Sequence, residues 1–305
     1  MSTRITNDMV IGSTLADINS AQAAMDRSQS ELSSGKSLLE PSDNPVGASQ
    51  QIALQSTLDG LTTYEKAAND GAAWLQTASA SLSNVGEVTQ RVRELVLQAA
   101  NGVNSQSDLN DIAQEIEQLT ETVKQDANVQ YAGQYVFSGT ATNTPPYEQG
   151  ASDAYAGNAG TILRTVGPGV SVQVNAALSS VLGEGQAAND GKLLDTLRTI
   201  TENLHTGTPA ALHAVGGEDL AKLDTNLGSL TSLEADVGAA TDQLKTAESR
   251  IQSLQSTTAT QLSNVQDANF AQVSIEFSNQ QAAYDAALRA GASIVQEKSL
   301  LEFLQ

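Results

Sequence analysis

The chain has 305 residues, of which 40% are apolar and only 4% aromatic, a composition that favours thin contacts between helices over a thick globular core. Its formal net charge is −20, with only 15 lysines and arginines, which argues against nucleic acid or an anionic membrane as a partner because phosphate groups require clustered cations. The sequence contains no cysteine, which excludes disulfides, thiolate metal sites and cysteine nucleophiles.

The N-terminal segment predicts a long helix that ends near Ser33-Ser34-Gly35. Alternating steps of four and three residues place one stripe of side chains along it: Ile11, Leu15, Ile18, Gln22, Met25, Gln29 and Leu32. We expect no cleavable secretory signal, since no apolar run follows the first residues, and no membrane span, since no apolar run is long enough.

A second helix is predicted to begin after the turn Pro41-Ser42-Asp43-Asn44-Pro45. Asn44 is a favourable N-cap, and Pro45 suits the first helical position because its missing N–H costs nothing there. Apolar periodicity continues to Asn101-Gly102, a C-cap signal, which gives a helix of about 84 Å. Ser105 or Ser107 then begins a third, antiparallel helix that runs to about Ala127.

From Tyr131 to about Gly185 the pattern becomes typical of strands. Tyr135-Val136-Phe137-Ser138-Gly139 predicts one strand, and segments 162–166 and 170–174 flank Gly167-Pro168-Gly169 as a hairpin. This predicts a small β-rich insertion in a helical protein, with irregular loops as the alternative.

Helical periodicity resumes near Asp190 and again from Glu218, where it predicts a very long C-terminal helix. Gly228 and Gly238 weaken that helix and leave open a break near residues 255–270. The last part of the helix carries a second stripe: Phe270, Val273, Phe277, Gln280, Tyr284, Ala287, Gly291, Ile294, Lys298 and Leu301. The chain therefore predicts a mainly α fold, in which the N- and C-terminal halves form a long antiparallel helical rod or coiled coil.

Both terminal stripes need a covering partner, and we expect them to order against copies of the chain or against neighbouring proteins. The predicted assembly interface consists of the stripes' apolar members: Ile11, Leu15, Ile18, Met25, Leu32, Phe270, Val273, Phe277, Tyr284, Ile294 and Leu301. Four polar members would fix the register of packing: Gln22, Gln29, Gln280 and Lys298.

The sequence offers little for catalysis or cofactors. Gly35-Lys36-Ser37 lacks the preceding strand and glycine of a phosphate loop. His205 and His213, the only histidines, stand in no metal-ligand spacing, so we expect them to be solvated. Spacing alone does not exclude a carboxylate pair for glycoside chemistry, but nothing favours one. We expect no cofactor, no metal and no enzymatic activity.

Three segments carry a resemblance to a known family. Ser33-Ser34-Gly35-Lys36 with the turn 41–45, then Tyr135-Val136-Phe137-Ser138-Gly139, and finally the ending from Tyr284 to Gln305 closely resemble bacterial flagellar hook-filament junction proteins of the hook-associated protein 3 type. The middle of the chain, about 140–270, matches only loosely.

The resemblance implies a flagellin-like architecture. Residues 1–40 and 270–305 would form the inner-tube coiled-coil domain, 41–135 and 186–269 the helical rod domain, and 136–185 the small β-rich outer domain. It also implies export without a cleaved signal to the extracellular flagellum. The implied partners are copies of the chain, the first hook-filament junction protein, flagellin, and an export chaperone at the C-terminal helix.

Three alternatives stay open at this point. The nearest is a flagellin filament subunit, although the turn at 41–45 and the ending, which lacks a basic finish, differ from flagellins. The second is a secreted helical adhesin or needle-tip protein whose β insertion binds a surface ligand. The third is a hydrolase, against which the small size of the insertion argues.

Overall fold

The computed structural model describes residues 7–150, 153–185 and 188–296. Its helices are α1 (Asn7–Ser34), α2 (Pro45–Ala100), α3 (Gln106–Ala127), α4 (Ser179–Leu182), α5 (Leu193–Thr206), α6 (Pro209–Ala214), α7 (Leu220–Gln266) and α8 (Phe270–Gln296), with a π-helical turn at Val215–Asp219. Its strands are β1 (Gln130–Tyr131), β2 (Gln134–Tyr135), β3 (Leu163–Gly167) and β4 (Val170–Gln173). The predicted mainly α fold is confirmed.

The predicted helix ends are confirmed by their capping contacts. α1 stops before Gly35, which adopts a left-handed φ of +71°. The Asn44 side chain accepts a hydrogen bond from the Gly47 nitrogen at 2.9 Å, which caps the first turn of α2. Ser105 forms a reciprocal capping box with Asp108 at the start of α3.

The long C-terminal helix is broken within the range 255–270 that the sequence analysis left open. α7 runs without interruption from Leu220 to Gln266, through Gly228 and Gly238, and α8 begins at Phe270. The Asn269 carbonyl accepts a bond from the Val273 nitrogen at 2.9 Å, so the first turn of α8 closes directly after the break.

The β-rich segment contains two small antiparallel hairpins. β3 and β4 pair as predicted, with a bulge between Thr165 and Gly167 and a left-handed Gly169 in the turn. The predicted strand 135–139 is wrong: only Tyr135 belongs to a strand, as part of β2, and the following residues turn. Val136 and Phe137 are nevertheless buried, so their apolar side chains reflect core packing and not a strand.

The structure divides into two compact units. Unit 1 comprises the described residues of Met1–Gly60 and Leu254–Gln305, and unit 2 comprises those of Leu61–Ser253. The division falls within α2 and α7, away from the predicted boundaries at residues 40 and 270, so the three domain ranges stay a prediction.

Unit 2 holds a dense core shared by helices and hairpins. α2 runs antiparallel to α7, as shown by the approach of Gly71 to Leu244 and of Gly86 to Leu230. α3 also lies antiparallel to α2: the Ser81 hydroxyl donates to the Asp126 carbonyl at 2.6 Å near one end. The antiparallel packing of the two halves of the chain is thereby confirmed in this unit.

A buried cluster of charges ties the β-rich segment to the helices of unit 2. Lys124 on α3, which is fully buried, lies 3.2 Å from both Glu121 and Asp153. Arg198 on α5 donates to Asp153 at 2.7 Å and to Glu121 at 3.1 Å. Each charge thus has an opposite partner, which buried ions require.

The cluster also sets the pKa of its acidic members. Burial alone would raise the pKa of Asp153, but the Arg198 and Lys124 cations outweigh it and lower that pKa. Burial also raises the pKa of Glu121, but hydrogen bonds from the Gly150 nitrogen, Lys124 and Arg198 outweigh it, so that the pKa is lowered. The pKa of Arg198 is raised, chiefly by its hydrogen bond to Asp153. All three groups are therefore held in their charged forms.

Candidate assembly surface

In unit 1 the two terminal helices, α1 and α8, pack against each other in antiparallel fashion. The segment after α1 and the one before α8 are joined by backbone hydrogen bonds: the Ser37 nitrogen donates to the Gln266 carbonyl at 2.8 Å, and the Ala268 nitrogen donates to the Gly35 carbonyl at 2.9 Å. Near the far end of the pair, Gly291 lies against Ile18 and Thr14. The structure therefore brings the two predicted stripes into one helix pair.

On α8 the less exposed side chains follow the predicted stripe from its second member onward. Val273 is buried, and Phe277, Gln280 and Tyr284 are half-buried. Phe270 departs from the stripe, because it is 67% exposed at the start of the helix. The side chain of Ile294 and the residues Lys298 and Leu301 lie outside the described part of the chain.

On α1 the predicted stripe is only partly covered within the chain, and its role in assembly stays a prediction. Ile18, Met25 and Leu32 are half-buried, but Ile11 and Leu15 are 39% and 61% exposed. Gln22 and Gln29, which were expected to set the register, are exposed as well.

The inner face of α1 uses small side chains in place of those large and polar ones. Thr14, Ala21 and Ser28, spaced seven residues apart, are half-buried or buried. Small residues let two helix backbones approach closely, and Gly291 supplies the matching space on α8: a Cβ there would lie 3.1 Å from Ile18 Cδ1. The sequence analysis missed this line because its stripe on α1 passed through large side chains, apolar or polar, although the seven-residue spacing of the small residues was visible.

Several large apolar side chains remain on the outside of this helix pair. We call them the outer apolar set: Met9 (61% exposed), Leu15 (61%), Phe270 (67%), Ile275 (64%) and Leu288 (42%). The sequence analysis identified Leu15 and Phe270 but not the other three. Exposed large apolar side chains on a pair of helices are candidates for an interaction surface.

A groove in unit 1 adds to its exposed apolar surface. It has a volume of about 630 Å³ and lies between the segment after α1 and the first turns of α2. Leu39 and Ile52, which are 36% and 70% exposed, are among its lining residues. The sequence analysis did not predict this groove, because one of its walls is a turn and a turn has no periodic spacing of apolar residues.

Charge in this region serves the local fold. The Arg27 side chain on α1 donates to Glu31 at 3.0 Å and to Asp43 in the following turn at 3.1 Å. The Glu40 nitrogen also donates to Asp43, and this bond, together with Arg27, lowers the Asp43 pKa. These contacts hold the turn that precedes α2 against α1.

The described residues contain no group of three or more His, Asp or Glu side chains placed to hold a metal ion. Within those same ranges, no helix combines the length and the apolar character needed to cross a lipid bilayer. His205 is an exposed surface residue that lies 3.6 Å from Glu117.

Family models match both ends of the chain. The model of the bacterial flagellin N-terminal helical region matches residues 5–142, and that of the flagellin C-terminal helical region matches residues 220–304. Among curated proteins, a flagellin of Salmonella muenchen is 36% identical over 138 residues, which cover 45% of this chain and 27% of the flagellin. The chain thus spans about a quarter of the length of the curated relatives it matches.

Solved structures share the fold at lower identity. Flagellar hook-associated protein 3 of Legionella pneumophila aligns with a TM-score of 0.60 and 17% identity, over 70% of this chain and 98% of its own. A structure of the flagellar junction protein FlgL from the same organism aligns with a TM-score of 0.56 and 17% identity, over 71% of this chain and 99% of its own.

Proposed function

The chain belongs to the bacterial flagellin family, and we propose that it is a non-enzymatic structural subunit of the flagellum, located at the junction between hook and filament. The observation that carries this proposal is the outer apolar set on the paired helices α1 and α8. A second copy of the chain, or a neighbouring flagellar protein, would cover that surface.

The separation of two faces on these helices supports assembly. The inner face, built from Thr14, Ala21, Ser28 and Gly291, is used within the chain. Other positions of the two helices carry large apolar side chains such as Leu15 and Ile275, each more than 60% exposed. Covering a large apolar side chain contributes on the order of 1 kcal/mol or more, so repeated contacts of this kind can drive polymerisation.

Two observations bear on the place of the chain within the flagellum. The fold aligns over nearly the full length of solved proteins described as hook-associated and junction proteins. The sequence identity of 36% over 138 residues is to a flagellin, which favours a filament subunit as the second candidate. We prefer the junction because the motifs at 33–45 and 135–139 also resemble that class.

Immunogold electron microscopy of intact flagella from the source organism separates these two candidates. A junction subunit is expected to be labelled only in a short band where the hook meets the filament. Label along the whole filament would establish the flagellin candidate instead. Absence of label from flagella of cells that produce the protein would contradict both.

The assembly surface is tested by Ile275→Asp, which places a charge in the outer apolar set. We expect cells that carry this variant to lose filament attachment and motility, because the carboxylate would be desolvated in the subunit contact. The matched control is Gln281→Asp, which adds the same charge at an exposed polar position of the same helix and should retain motility. Equal motility of the two variants would contradict the surface.

The proposed partners are copies of the chain, the first hook-filament junction protein on the hook side and flagellin on the filament side, with an export chaperone bound to α8 before secretion. The site of action would be extracellular. Culture medium from the Ile275→Asp strain distinguishes two roles of α8. Secreted but unassembled protein indicates that Ile275 acts after export, whereas protein retained in the cell indicates that it contributes to chaperone binding.

A further inference from the structure

We propose that Asn101 is a site of spontaneous covalent modification, at which the backbone nitrogen of Gly102 displaces the side-chain amide and converts the asparagine into aspartate and isoaspartate. Asn101 is the one asparagine of the sequence that a glycine follows. The proposal rests on local chemistry alone and does not depend on the proposed function.

The structure leaves the reacting nitrogen open. Asn101 and Gly102 are both exposed and follow Ala100, the last residue of α2. Gly102 has a φ of +66°, and a Cβ built on it would meet nothing within 4 Å. Within the described chain, the Gly102 nitrogen donates no hydrogen bond. Neither a side chain nor a backbone partner therefore hinders attack by this nitrogen.

The reaction needs only water. The Gly102 nitrogen gives up its proton and forms a bond to Cγ of Asn101, and the side-chain nitrogen leaves as ammonia. The resulting five-membered imide then adds water at one of its two carbonyls. Opening on one side yields aspartate, and opening on the other yields isoaspartate, in which the backbone runs through the former side chain.

A neighbouring asparagine supplies an internal comparison. Asn104 lies in the same turn, but its side-chain amide donates to the Gln98 carbonyl at 2.8 Å and to the Ala99 carbonyl at 3.2 Å, where it caps the end of α2. Its successor is Ser105, whose Cβ crowds the attacking nitrogen and whose own nitrogen donates to Asp108 at 2.8 Å. Asn104 should therefore react far more slowly than Asn101.

The product would change the end of α2. A new carboxylate would stand at a helix C-terminus, where the helix dipole is already negative, and isoaspartate would also lengthen the turn between α2 and α3. Leu97 and Val103, which precede and follow Asn101 in the chain, are 41% and 89% exposed. The modification would thus add negative charge to a surface that now shows exposed apolar side chains.

The test is incubation of the purified full-length chain at mildly alkaline pH, followed by proteolysis and mass spectrometry with fragmentation that separates aspartate from isoaspartate. We expect the Asn101 peptide to gain the mass of an amide-to-acid exchange over days, with isoaspartate present, while Asn104 stays unchanged. Asn101→Gln should abolish the change at this position, because glutamine would have to close a larger ring.

Gly102→Asn tests whether the reaction at Asn101 depends on the missing side chain at residue 102. Asparagine tolerates a left-handed backbone better than most residues, so the turn should persist while the added Cβ slows the attack several-fold. An unchanged Asn101 peptide in the wild type would overturn the proposal. So would equal rates at Asn101 and Asn104, or equal rates in the wild type and Gly102→Asn.

Discussion

At the scale of single residues, Gly139 shows why the last position of the motif at 135–139 requires glycine. Its φ is +65°, and a Cβ there would overlap the backbone oxygen of Asn158. That contact is part of a local network, in which Asn158 donates from its nitrogen to the Ser138 carbonyl at 3.1 Å and accepts from the Thr140 nitrogen at 2.9 Å.

We therefore expect Gly139→Ala to lower the free energy of unfolding of unit 2 by about 2–4 kcal/mol, from backbone strain and the overlap together. Urea unfolding followed by the fluorescence of Trp74, the single tryptophan, measures it. Gly133→Ala is the control: its φ is +80°, but a Cβ would meet nothing within 4 Å, so only strain of about 1–2 kcal/mol should appear. Equal losses would show that the Asn158 contact does not matter.

Asp153 is the residue through which the stability of unit 2 should depend on pH. Its pKa in the folded state is lowered, so its carboxylate contributes stability above its unfolded pKa of about 4, and that contribution is lost as the pH falls through the folded value. Asp153→Asn removes one partner from the buried Lys124 and the half-buried Arg198. It should cost about 3 kcal/mol near neutral pH.

The difference between wild type and Asp153→Asn should begin to shrink below about pH 4, where the carboxyl of the unfolded chain takes up a proton, and should be lost once the pH falls below the lowered pKa of the folded carboxyl. Urea midpoints at neutral and acidic pH check this. The control Asp224→Asn breaks an ion pair with Arg93 whose side chains are 48% and 41% exposed, and it should cost far less than Asp153→Asn because water screens exposed charges. A pH-independent difference for Asp153→Asn would contradict the argument.

At the scale of elements, the sequence predicts helices well and the small β segment less well. Caps such as Asn44, Ser105 and Gly35 act through neighbouring backbone groups, so their effect can be read locally. Val136 and Phe137 misled the strand prediction because both side chains are buried from within a turn, and a short apolar run does not distinguish the two cases.

The stripe on α1 was only partly predictable for a different reason. A helix with two apolar sides offers more than one plausible stripe, and the choice depends on the partner helix. Here α8 presents Gly291, against which Thr14 and Ile18 lie, while Leu15 is exposed. The contact between α1 and α8 therefore decides which side of α1 is covered, and the sequence of either helix alone does not predict it.

Gly291→Leu tests that close approach. A Cβ at Gly291 would already lie 3.1 Å from Ile18 and 3.4 Å from Thr14, so a leucine must separate α1 from α8. We expect a loss of about 1–3 kcal/mol in unit 1, seen as faster hydrogen exchange along both helices, with Trp74 fluorescence unchanged.

Gly12→Ala is the control for this experiment and should act in the opposite direction. Gly12 lies inside α1, and a Cβ there meets nothing within 4 Å, so alanine should slow exchange in α1 through its better helix propensity, worth about 0.5–1 kcal/mol. Unchanged exchange in Gly291→Leu would mean that the helices do not depend on close packing at this point.

At the scale of the whole molecule, the division into two units was not predictable from sequence punctuation. Glycine, proline and polar clusters mark turns, but the division crosses α2 near Gly60 and α7 near Leu254, inside continuous helices. What distinguishes the units is the depth of their cores. The depth of a core depends on which side chains from different elements meet in three dimensions. The periodicity of a single helix does not predict those contacts.

The two cores imply that the units differ in stability. Unit 2 buries Trp74, Tyr147, Phe137 and many aliphatic side chains almost completely, whereas the helix pair of unit 1 rests largely on half-buried positions such as Ile18 and Tyr284. Because burial of apolar surface is the main stabilising term, unit 1 should unfold first on heating.

Two signals can follow the units separately in one heating experiment. Far-ultraviolet circular dichroism reports all helices, whereas Trp74 reports only the core of unit 2. We expect helical signal to fall at a lower temperature, while Trp74 fluorescence stays native, and then a second transition seen by both. Gly291→Leu should lower the first transition and leave the second in place. Coincident transitions in both signals would instead show that the chain unfolds as one cooperative body, with its terminal helices already as stable as its core.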